Sequence, residues 1–317
     1  MKLNIYDYDH VLKKDDKTSL KEIYVNECRE KLQNYFVNGY PLGETSHIKK
    51  LDENFKWRKG FLFCCSGYPQ SGKSEIMNYL LLLRAINDND KICMYSPETD
   101  TYELISNLAR AYLGKNVDKA FPDMCTEKEW FKALDFLDDH FIFLENKDQM
   151  PSIKTLIKTY IKLSKKGFNC FLIDPFNNVY QSTENENIYN YLKFSLTALK
   201  QFAKTYDSIM CYIEHPKTPI PIRSKGEIKI PKTNAFSLAG GSMHYNKCDV
   251  MIIMHKIQDD ELEDYVKSGD LLSNVLENQQ KNIKFVEFES VKVKSQRLNG
   301  KPGKVILKYD LITGRYK

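Results

Sequence analysis

The residues best suited to chemistry in this chain have the pattern G-x-x-x-x-G-K-S, from Gly67 to Ser74. The glycines allow backbone N–H groups to turn inward around phosphate oxygens. The Lys73 ammonium adds a positive charge, and the Ser74 hydroxyl is a ligand for Mg²⁺. An apolar run precedes the pattern, and a helical pattern follows it, so we predict a phosphate-binding loop in which Gly67, Gly72, Lys73, Ser74 and Glu75 bind ATP and Mg²⁺. A chance match in a glycine turn is the alternative.

The elements that position this loop are short apolar strands alternating with helices. This alternation predicts an α/β fold with a mostly parallel, twisted sheet, helices on both faces and a C-terminal β-hairpin. Strands are predicted at 61–65, 91–96, 141–144, 169–174, 208–213 and 250–254, hairpin strands at 285–293 and 303–309, and helices after the loop and at 101–113, 152–165 and 188–206. We interpret residues 217–232 as a loop and 259–282 as a surface helix or a mobile insertion.

Length and composition predict one large domain with an N-terminal arm. The chain has 317 residues, of which 42% are hydrophobic and 28% charged, as in ordinary globular proteins. We predict an arm or linker at 1–45, with an amphipathic helix at 17–37, and an ATPase core at 46–317. The net charge of +5 is compatible with a polyanionic partner without proving one.

Several sequence features indicate a reducing compartment. The eight cysteines form no C-x-x-C pair, and several lie inside apolar strand-like runs. No apolar run approaches the roughly 20 residues that span a bilayer. Residues 1–7 contain no secretory apolar region and are acidic for a transit peptide. We therefore expect a cytoplasmic protein without a membrane partner, in a bacterium or a phage-infected host.

Polar residues follow two further predicted strands, and function collects at such strand ends in parallel sheets. Asp174 ends the apolar run Phe171-Leu172-Ile173 and is a candidate for holding the Mg²⁺ water shell, although a helix cap is the alternative. Glu98 follows the strand ending at Ser96. A carboxylate there is suited to orienting and deprotonating the water that attacks the γ-phosphate, and a solvated loop charge is the alternative.

His215 and a C-terminal basic cluster complete the candidate chemistry. His215 follows the 208–213 strand and could contact the γ-phosphate and report hydrolysis to the next loop, or it is structural. Arg297, with Lys294 nearby, is suited to acting as an arginine finger on a neighbouring subunit's γ-phosphate. From position alone, a solvent-facing basic hairpin is the better explanation of these two residues.

These pieces, in this order, resemble the ATPase domain of hexameric replicative DNA helicases of the DnaB/Twinkle type, which include phage primase–helicases. The likeness spans roughly residues 40–317. Leu172-Ile173-Asp174-Pro175-Phe176-Asn177 resembles the family's I-D-P-x-N magnesium motif, and Glu214-His215-Pro216-Lys217 its x-H-P-K sensor motif. Residues 238–249 resemble the segment around the DNA-binding loops, and the T-G-R-Y end resembles the family's closing hairpin.

The resemblance implies a RecA-like core in a six-membered ring, with ATP at subunit interfaces and single-stranded DNA through the centre. It assigns phosphate and Mg²⁺ binding to Lys73 and Ser74, water activation to Glu98, Mg²⁺ to Asp174, the sensor to His215 and the finger in trans to Arg297. A separate primase or loader is a further expected partner. The candidate DNA contacts are Lys217, Arg223, Lys225, Lys229, Lys232, Gly240, Gly241, Ser242 and Lys247.

Two departures from the family pattern keep other functions open. Ser295 stands where the family pairs a lysine with the finger, so Lys294 is the candidate for support in trans. We also expect no zinc-binding or primase module before the core. A RecA-like recombinase or signalling ATPase that binds DNA or a partner without unwinding is one alternative, and a non-catalytic structural homologue is the other. Because the candidate loop carries few aromatic residues, we expect it to hold the DNA backbone rather than to stack on bases.

Overall fold

A computed structural model of the chain describes residues 22–121, 123–146, 149–179, 188–219, 222–224, 227–229, 231–238, 240–258, 261–269, 271 and 282–317. The helices are α1 (Val25–Asn38), α2 (Lys73–Asp88), α3 (Thr101–Leu113), α4 (Glu127–His140), α5 (Ile153–Ser164), α6 (Ile188–Thr205), α7 (Gly241–Lys247), α8 (Leu262–Lys267) and α9 (Gln296–Asn299). The strands are β1 (Leu62–Ser66), β2 (Ile92–Tyr95), β3 (Phe141–Leu144), β4 (Cys170–Ile173), β5 (Ile209–Glu214), β6 (Ile222–Ser224), β7 (Glu227–Lys229), β8 (Val250–Lys256), β9 (Ile283–Val293), β10 (Gly303–Asp310) and β11 (Arg315–Tyr316).

Over the described residues, the main sheet has nine strands in the order β11-β10-β9-β8-β1-β5-β4-β2-β3. The strands from β8 to β3 in this order are parallel. Strands β9, β10 and β11 then add in antiparallel fashion. This order confirms the predicted α/β fold, including the mostly parallel sheet and the C-terminal hairpin.

The central strands are buried on both faces, which explains why they appear in the sequence as unbroken apolar runs. Every residue of β1, β2, β4 and β5 is buried. Successive side chains alternate, so Phe63 and Cys65 enter one core cluster whereas Leu62 and Cys64 enter the other. Helices α2, α3 and α4 cover the first cluster, and α5, α6 and α7 cover the second. This arrangement holds the strand ends, and the loops after them, on a rigid base.

Other predicted segments differ from the structure. Helix α4 lies where no helix was predicted, and it begins with a capping box in which Thr126 and Glu129 each bond the other's backbone N–H. The predicted 217–232 loop contains the antiparallel pair β6–β7. Helix α8 is not only a surface element, because Leu262 and Tyr265 are buried beside Ile257. The rest of 259–282 lies largely outside the described residues.

The N-terminal arm is only partly described. Residues 1–21 of the predicted arm lie outside the described residues, and helix α1 begins at Val25 and has no buried residue. Gly43 N–H donates to the Leu298 carbonyl over 2.8 Å, so the chain is in contact with the core by that position. The boundary at residue 45 stays a prediction. Among the described helices, none has the length and apolar character needed to cross a membrane.

Candidate nucleotide site

Strand direction brings the predicted nucleotide-binding residues to one edge of the sheet. Ser66 at the end of β1 pairs with Glu214 at the end of β5. Ile173 at the end of β4 lies beside both Tyr212 of β5 and Tyr95 of β2. The phosphate loop (residues 67–74), Glu98, Asp174 and His215 follow these ends directly, so residues far apart in the chain share one edge.

The phosphate loop is held by close backbone packing that only glycine permits. A Cβ atom at Gly67 would lie 2.3 Å from the Met254 carbonyl oxygen, so no larger residue fits there. Gly72 has φ 86° and precedes α2 in the left-handed conformation. The free N–H groups of the first turn of α2 therefore face the loop, as expected for an anion-binding helix terminus.

Lys73 lies inside the loop rather than in solvent. Its Nζ donates to the Tyr68 carbonyl over 2.9 Å, and the residue is buried. Burial lowers the pKa of the Lys73 ammonium, and the negative charges of Asp174 and Glu98 partly offset this shift. A desolvated cation within a ring of backbone donors is suited to binding phosphate oxygens.

Asp174 provides a buried carboxylate beside Ser74. Burial raises the pKa of Asp174 to about 6, whereas its hydrogen bond with the Ser74 side chain and the charge of Lys73 act in the opposite direction. A carboxylate and a hydroxyl are the hard oxygen donors that Mg²⁺ prefers, and a cation there would relieve the desolvated negative charge. The residues present therefore fit a magnesium site formed together with phosphate oxygens.

Glu98 and His215 face each other across the mouth of this site. The His215 Nε2 atom lies 3.7 Å from Oε2 of Glu98, and the glutamate is exposed. Burial, and then the charge of Lys73, lower the pKa of His215, although Glu98 acts against this shift. The imidazole is therefore largely neutral near pH 7, which leaves it able to donate or accept a hydrogen bond.

The buried carboxyl group of Glu214 lies directly before His215. Glu214 is 5% exposed, and its Oε1 accepts the His215 N–H over 3.2 Å. Burial raises the pKa of Glu214 from 4.5 to about 8. Because the pKa of Glu214 is higher in the folded than in the unfolded state, its protonated form contributes stability at low pH. This contribution is lost as the pH rises through the folded-state pKa. Glu214 is thus protonated in the folded protein at neutral pH.

We expect Glu214→Gln to become progressively more stable than the unmodified protein as the pH rises from about 5 to about 8, because glutamine cannot ionise. The difference in free energy of unfolding should reach on the order of a few kcal/mol, as measured by urea denaturation at each pH. Glu263→Gln is the control, because that carboxylate is exposed. A difference that does not change with pH would contradict the assigned burial effect.

No family model matches the chain. It is 25% identical over 235 residues to the Twinkle homolog protein, chloroplastic/mitochondrial, of Arabidopsis thaliana, and this match covers 71% of the chain but 32% of that relative. One solved structure, an ATPase domain, superposes with a TM-score of 0.69 at 16% identity, covering 93% of this chain and 99% of that one. The chain therefore has a RecA-like α/β fold similar to that of this ATPase domain.

A second solved structure supports the same fold. It is a DnaB-like replicative helicase described with its interactions with primase, and it superposes with a TM-score of 0.68 at 17% identity. The overlap covers 93% of this chain and 68% of that one. The resemblance to the DnaB/Twinkle type is therefore confirmed by sequence similarity to the plant protein and by fold similarity to the two solved structures.

In this DnaB-type fold, the predicted finger lies at the sheet edge opposite the phosphate loop. Strand β9 runs antiparallel to β8, so Val293 at its end pairs with Val250 at the start of β8. Arg297 follows in α9 and is exposed. The phosphate loop of its own subunit is at the other edge of the sheet. The role of Arg297 as a finger in trans stays a prediction.

Lys294, the predicted support for the finger, is already paired within its own subunit. Its Nζ lies 2.9 Å from Oδ1 of Asp249, which also accepts from Lys200 over 2.7 Å. Asp249 Oδ2 accepts the Leu62 N–H over 3.0 Å. This buried carboxylate holds the start of β1 to the end of β9, so the structure shows a positional role for Lys294. Its support in trans stays a prediction.

The predicted DNA-contacting residues fall into three groups. Lys217 and Ser242 are exposed, and Lys247 is half-buried. Lys232 is engaged elsewhere, because its Nζ lies 3.2 Å from both carboxylate oxygens of Glu287. Lys225 and the side chains of Arg223 and Lys229 lie outside the described residues.

A backbone connection joins the loop that begins at His215, called the sensor loop below, to the segment that contains Gly240 and Gly241. Pro216 forms an antiparallel bridge with Leu238, and the Lys217 N–H donates to the Ser237 carbonyl over 2.8 Å. Gly240 and Gly241 follow and begin α7. The loop after His215 is therefore joined by its backbone to the segment that carries the predicted DNA contacts.

Tyr316 is a site residue that sequence analysis missed. Its hydroxyl donates to the Gly72 carbonyl over 3.2 Å, and the ring is buried against Tyr309, with centroids 4.6 Å apart. The end of the C-terminal hairpin thus contacts the phosphate loop through the Gly72 carbonyl and stabilises it. The T-G-R-Y ending indicates the closing hairpin in the sequence. No local sequence pattern indicates that residue 316 contacts residue 72.

Proposed function

We propose that this chain is the motor domain of a replicative DNA helicase, a ring of identical copies that moves on single-stranded DNA by hydrolysing ATP at subunit interfaces. The observation that carries the proposal is the meeting of the phosphate loop, Glu98, Asp174 and His215 at one sheet edge, with Arg297 at the opposite edge. A closed ring of six copies would place each finger at the next subunit's nucleotide.

Each residue has a distinct task in the proposed hydrolysis. Lys73 and the loop N–H groups bind the β- and γ-phosphates, and Ser74 and Asp174 would hold Mg²⁺. When bound, Mg²⁺ supplies charge neutralisation at the phosphate oxygens. Glu98 accepts a proton from the water whose oxygen attacks the γ-phosphorus, the bond to the β,γ-bridging oxygen breaks, and ADP and phosphate form.

Proposed coupling to DNA starts at His215. Loss of the γ-phosphate would remove a hydrogen-bond partner from the imidazole. The bridge between Pro216 and Leu238 then carries the shift of the sensor loop to Gly240 and α7. Lys217 and Lys247 at this surface are suited to holding the DNA backbone. Successive hydrolysis around the ring would move the strand.

The alternative is a recombinase-like ATPase that binds DNA or a partner without unwinding. The two solved structures described above are an ATPase domain and a DnaB-like replicative helicase, and no observation favours the alternative over the helicase. By analogy with the latter, a separate primase or loader is a further proposed partner.

The proposal is tested by ATP turnover with and without single-stranded DNA, followed by strand separation on a forked duplex. A DNA-translocating motor should show turnover stimulated about tenfold or more by single strands, and should release the displaced strand only with ATP. Stimulated turnover without strand release would favour the recombinase-like ATPase. The absence of turnover under both conditions would indicate a non-catalytic homologue.

A further inference from the structure

An exposed aromatic ring lies in the segment between the sensor loop and α7. Phe236 is 63% exposed, and its ring packs against Tyr245 of α7 with centroids 5.5 Å apart. The Lys292 ammonium lies over the other ring at 4.8 Å from the Tyr245 centroid. Phe236 and Lys292 therefore both contact the Tyr245 ring, the two aromatic rings are tilted by 43°, and Phe236 is the exposed member of this cluster.

The backbone that presents Phe236 is rigidly held. The Phe236 N–H donates to the Asn234 side chain over 2.8 Å, and the Ser237 N–H donates to the Asn234 carbonyl over 3.0 Å. A Cβ atom at Gly241 would lie 2.5 Å from the Phe236 carbonyl oxygen, so glycine is required for this close approach. The ring is thus displayed on a built turn rather than on a freely moving loop.

The segment that carries the Phe236 ring lacks acidic residues. Between Glu227 and Asp249 the sequence contains no acidic residue. Of the lysines there, Lys232 is paired with Glu287, whereas Lys247 is half-buried on α7. Lys217 is exposed, and its backbone N–H is bonded to the residue after Phe236. An exposed aromatic ring beside a loop that carries an exposed lysine is suited to single-stranded nucleic acid, because bases stack on the ring while phosphates pair with the lysine.

We propose that Phe236, backed by Tyr245 and Lys292, is a base-stacking platform for single-stranded DNA. The proposal rests on the function proposed above and replaces the expectation that the DNA is held by its backbone alone. Because the Ser237 carbonyl accepts from Lys217 in the sensor loop, the platform would move when that loop moves. Each subunit would then hold a base as well as phosphates, with little preference among bases.

The test compares two fluorescently labelled single strands of equal length, oligo-dT and a fully abasic strand with the same phosphates. Binding to the full chain is measured by anisotropy in the presence of a non-hydrolysable ATP analogue. We expect the unmodified protein to bind oligo-dT about tenfold more tightly than the abasic strand, and Phe236→Ala to lose this difference while binding the abasic strand normally. Phe131→Ala is the matched control, because Phe131 is 54% exposed on α4.

A second variant reports contact between a base and residue 236 directly. Phe236→Trp should retain the preference for oligo-dT, and its added fluorescence should be quenched by oligo-dT but not by the abasic strand. The slope of affinity against salt should be the same for Phe236→Ala and the unmodified protein, because no phosphate contact is lost.

Several results would overturn the platform. Equal affinity of Phe236→Ala and the unmodified protein for oligo-dT would do so, as would an equal loss for both strands. A change of oligomeric state in Phe236→Ala would show that a second copy of the chain covers the ring instead. If the unmodified protein binds neither strand, both the platform and the helicase proposal fail. Normal oligo-dT preference without DNA-stimulated turnover would remove only the motor and leave the platform supported.

Discussion

Replacing Glu98 with glutamine is expected to lower the steady-state rate of ATP hydrolysis by about a hundredfold or more while ATP binding is retained. Glutamine keeps the size of the side chain but cannot accept a proton from water. Glu98 is exposed in the loop after β2, so its replacement should leave folding unchanged. Phosphate release measures turnover, and a fluorescent ATP analogue measures binding.

Two companion variants separate catalysis from binding. Lys73→Ala should lose both turnover and ATP affinity, since the ammonium lies within the phosphate loop and donates to the Tyr68 carbonyl. Glu103→Gln should behave like the unmodified protein, because that carboxylate is exposed one turn into α3. Unchanged turnover in Glu98→Gln would exclude this residue as the base, and loss of ATP binding would assign it to the nucleotide pocket instead.

The phosphate loop and the sheet that positions it were predictable from local patterns. Central strands such as β1 are apolar at every position because both faces are covered, and the glycine pattern lies at the end of one of them. Parallel strand direction then places Asp174 and His215 at the same edge, since each directly follows a buried strand. These predictions needed only the spacing of apolar residues along the sequence and the rule that the carboxyl ends of parallel strands lie at the same edge of the sheet.

Other features of the site depend on pairings between distant residues. The lysines most easily assigned to DNA or to a neighbouring subunit include Lys232 and Lys294, which are held by Glu287 and Asp249. A lysine in a basic stretch appears the same in the sequence whether it is paired or free. The packing of Phe236 on Tyr245 also arises from the turn that precedes α7, so counting aromatic residues in the loop could not reveal it.

Arg297 follows the hairpin strand β9, and the strand order places it at the edge opposite the phosphate loop of its own subunit. The β9–β8 pairing carries the chain back to the edge opposite the phosphate loop. Exposure of Arg297 is consistent with a residue whose partner belongs to another copy of the chain. The role itself stays a prediction and requires a test that distinguishes action in trans from action within one subunit.

Arg297→Ala is expected to lower turnover by about a thousandfold or more while ATP binding by each subunit is retained. The decisive measurement mixes this variant with Lys73→Ala, which is inactive for a different reason. In a mixed ring, an intact Lys73 from one variant meets an intact Arg297 from the other at some interfaces. Equal mixing of subunits should restore roughly a quarter of the unmodified turnover, because both partners are intact at about one interface in four.

The outcome depends on which subunit supplies the arginine. If Arg297 served the nucleotide of its own subunit, no mixture would contain an intact site, and turnover would stay at the level of the separate variants. Lys301→Ala is the control, because this exposed neighbour pairs only with the surface carboxylate of Glu53 among its described side-chain contacts. Recovery on mixing would place the catalytic unit at the interface between two copies, which makes ring assembly a condition for hydrolysis rather than a consequence of it.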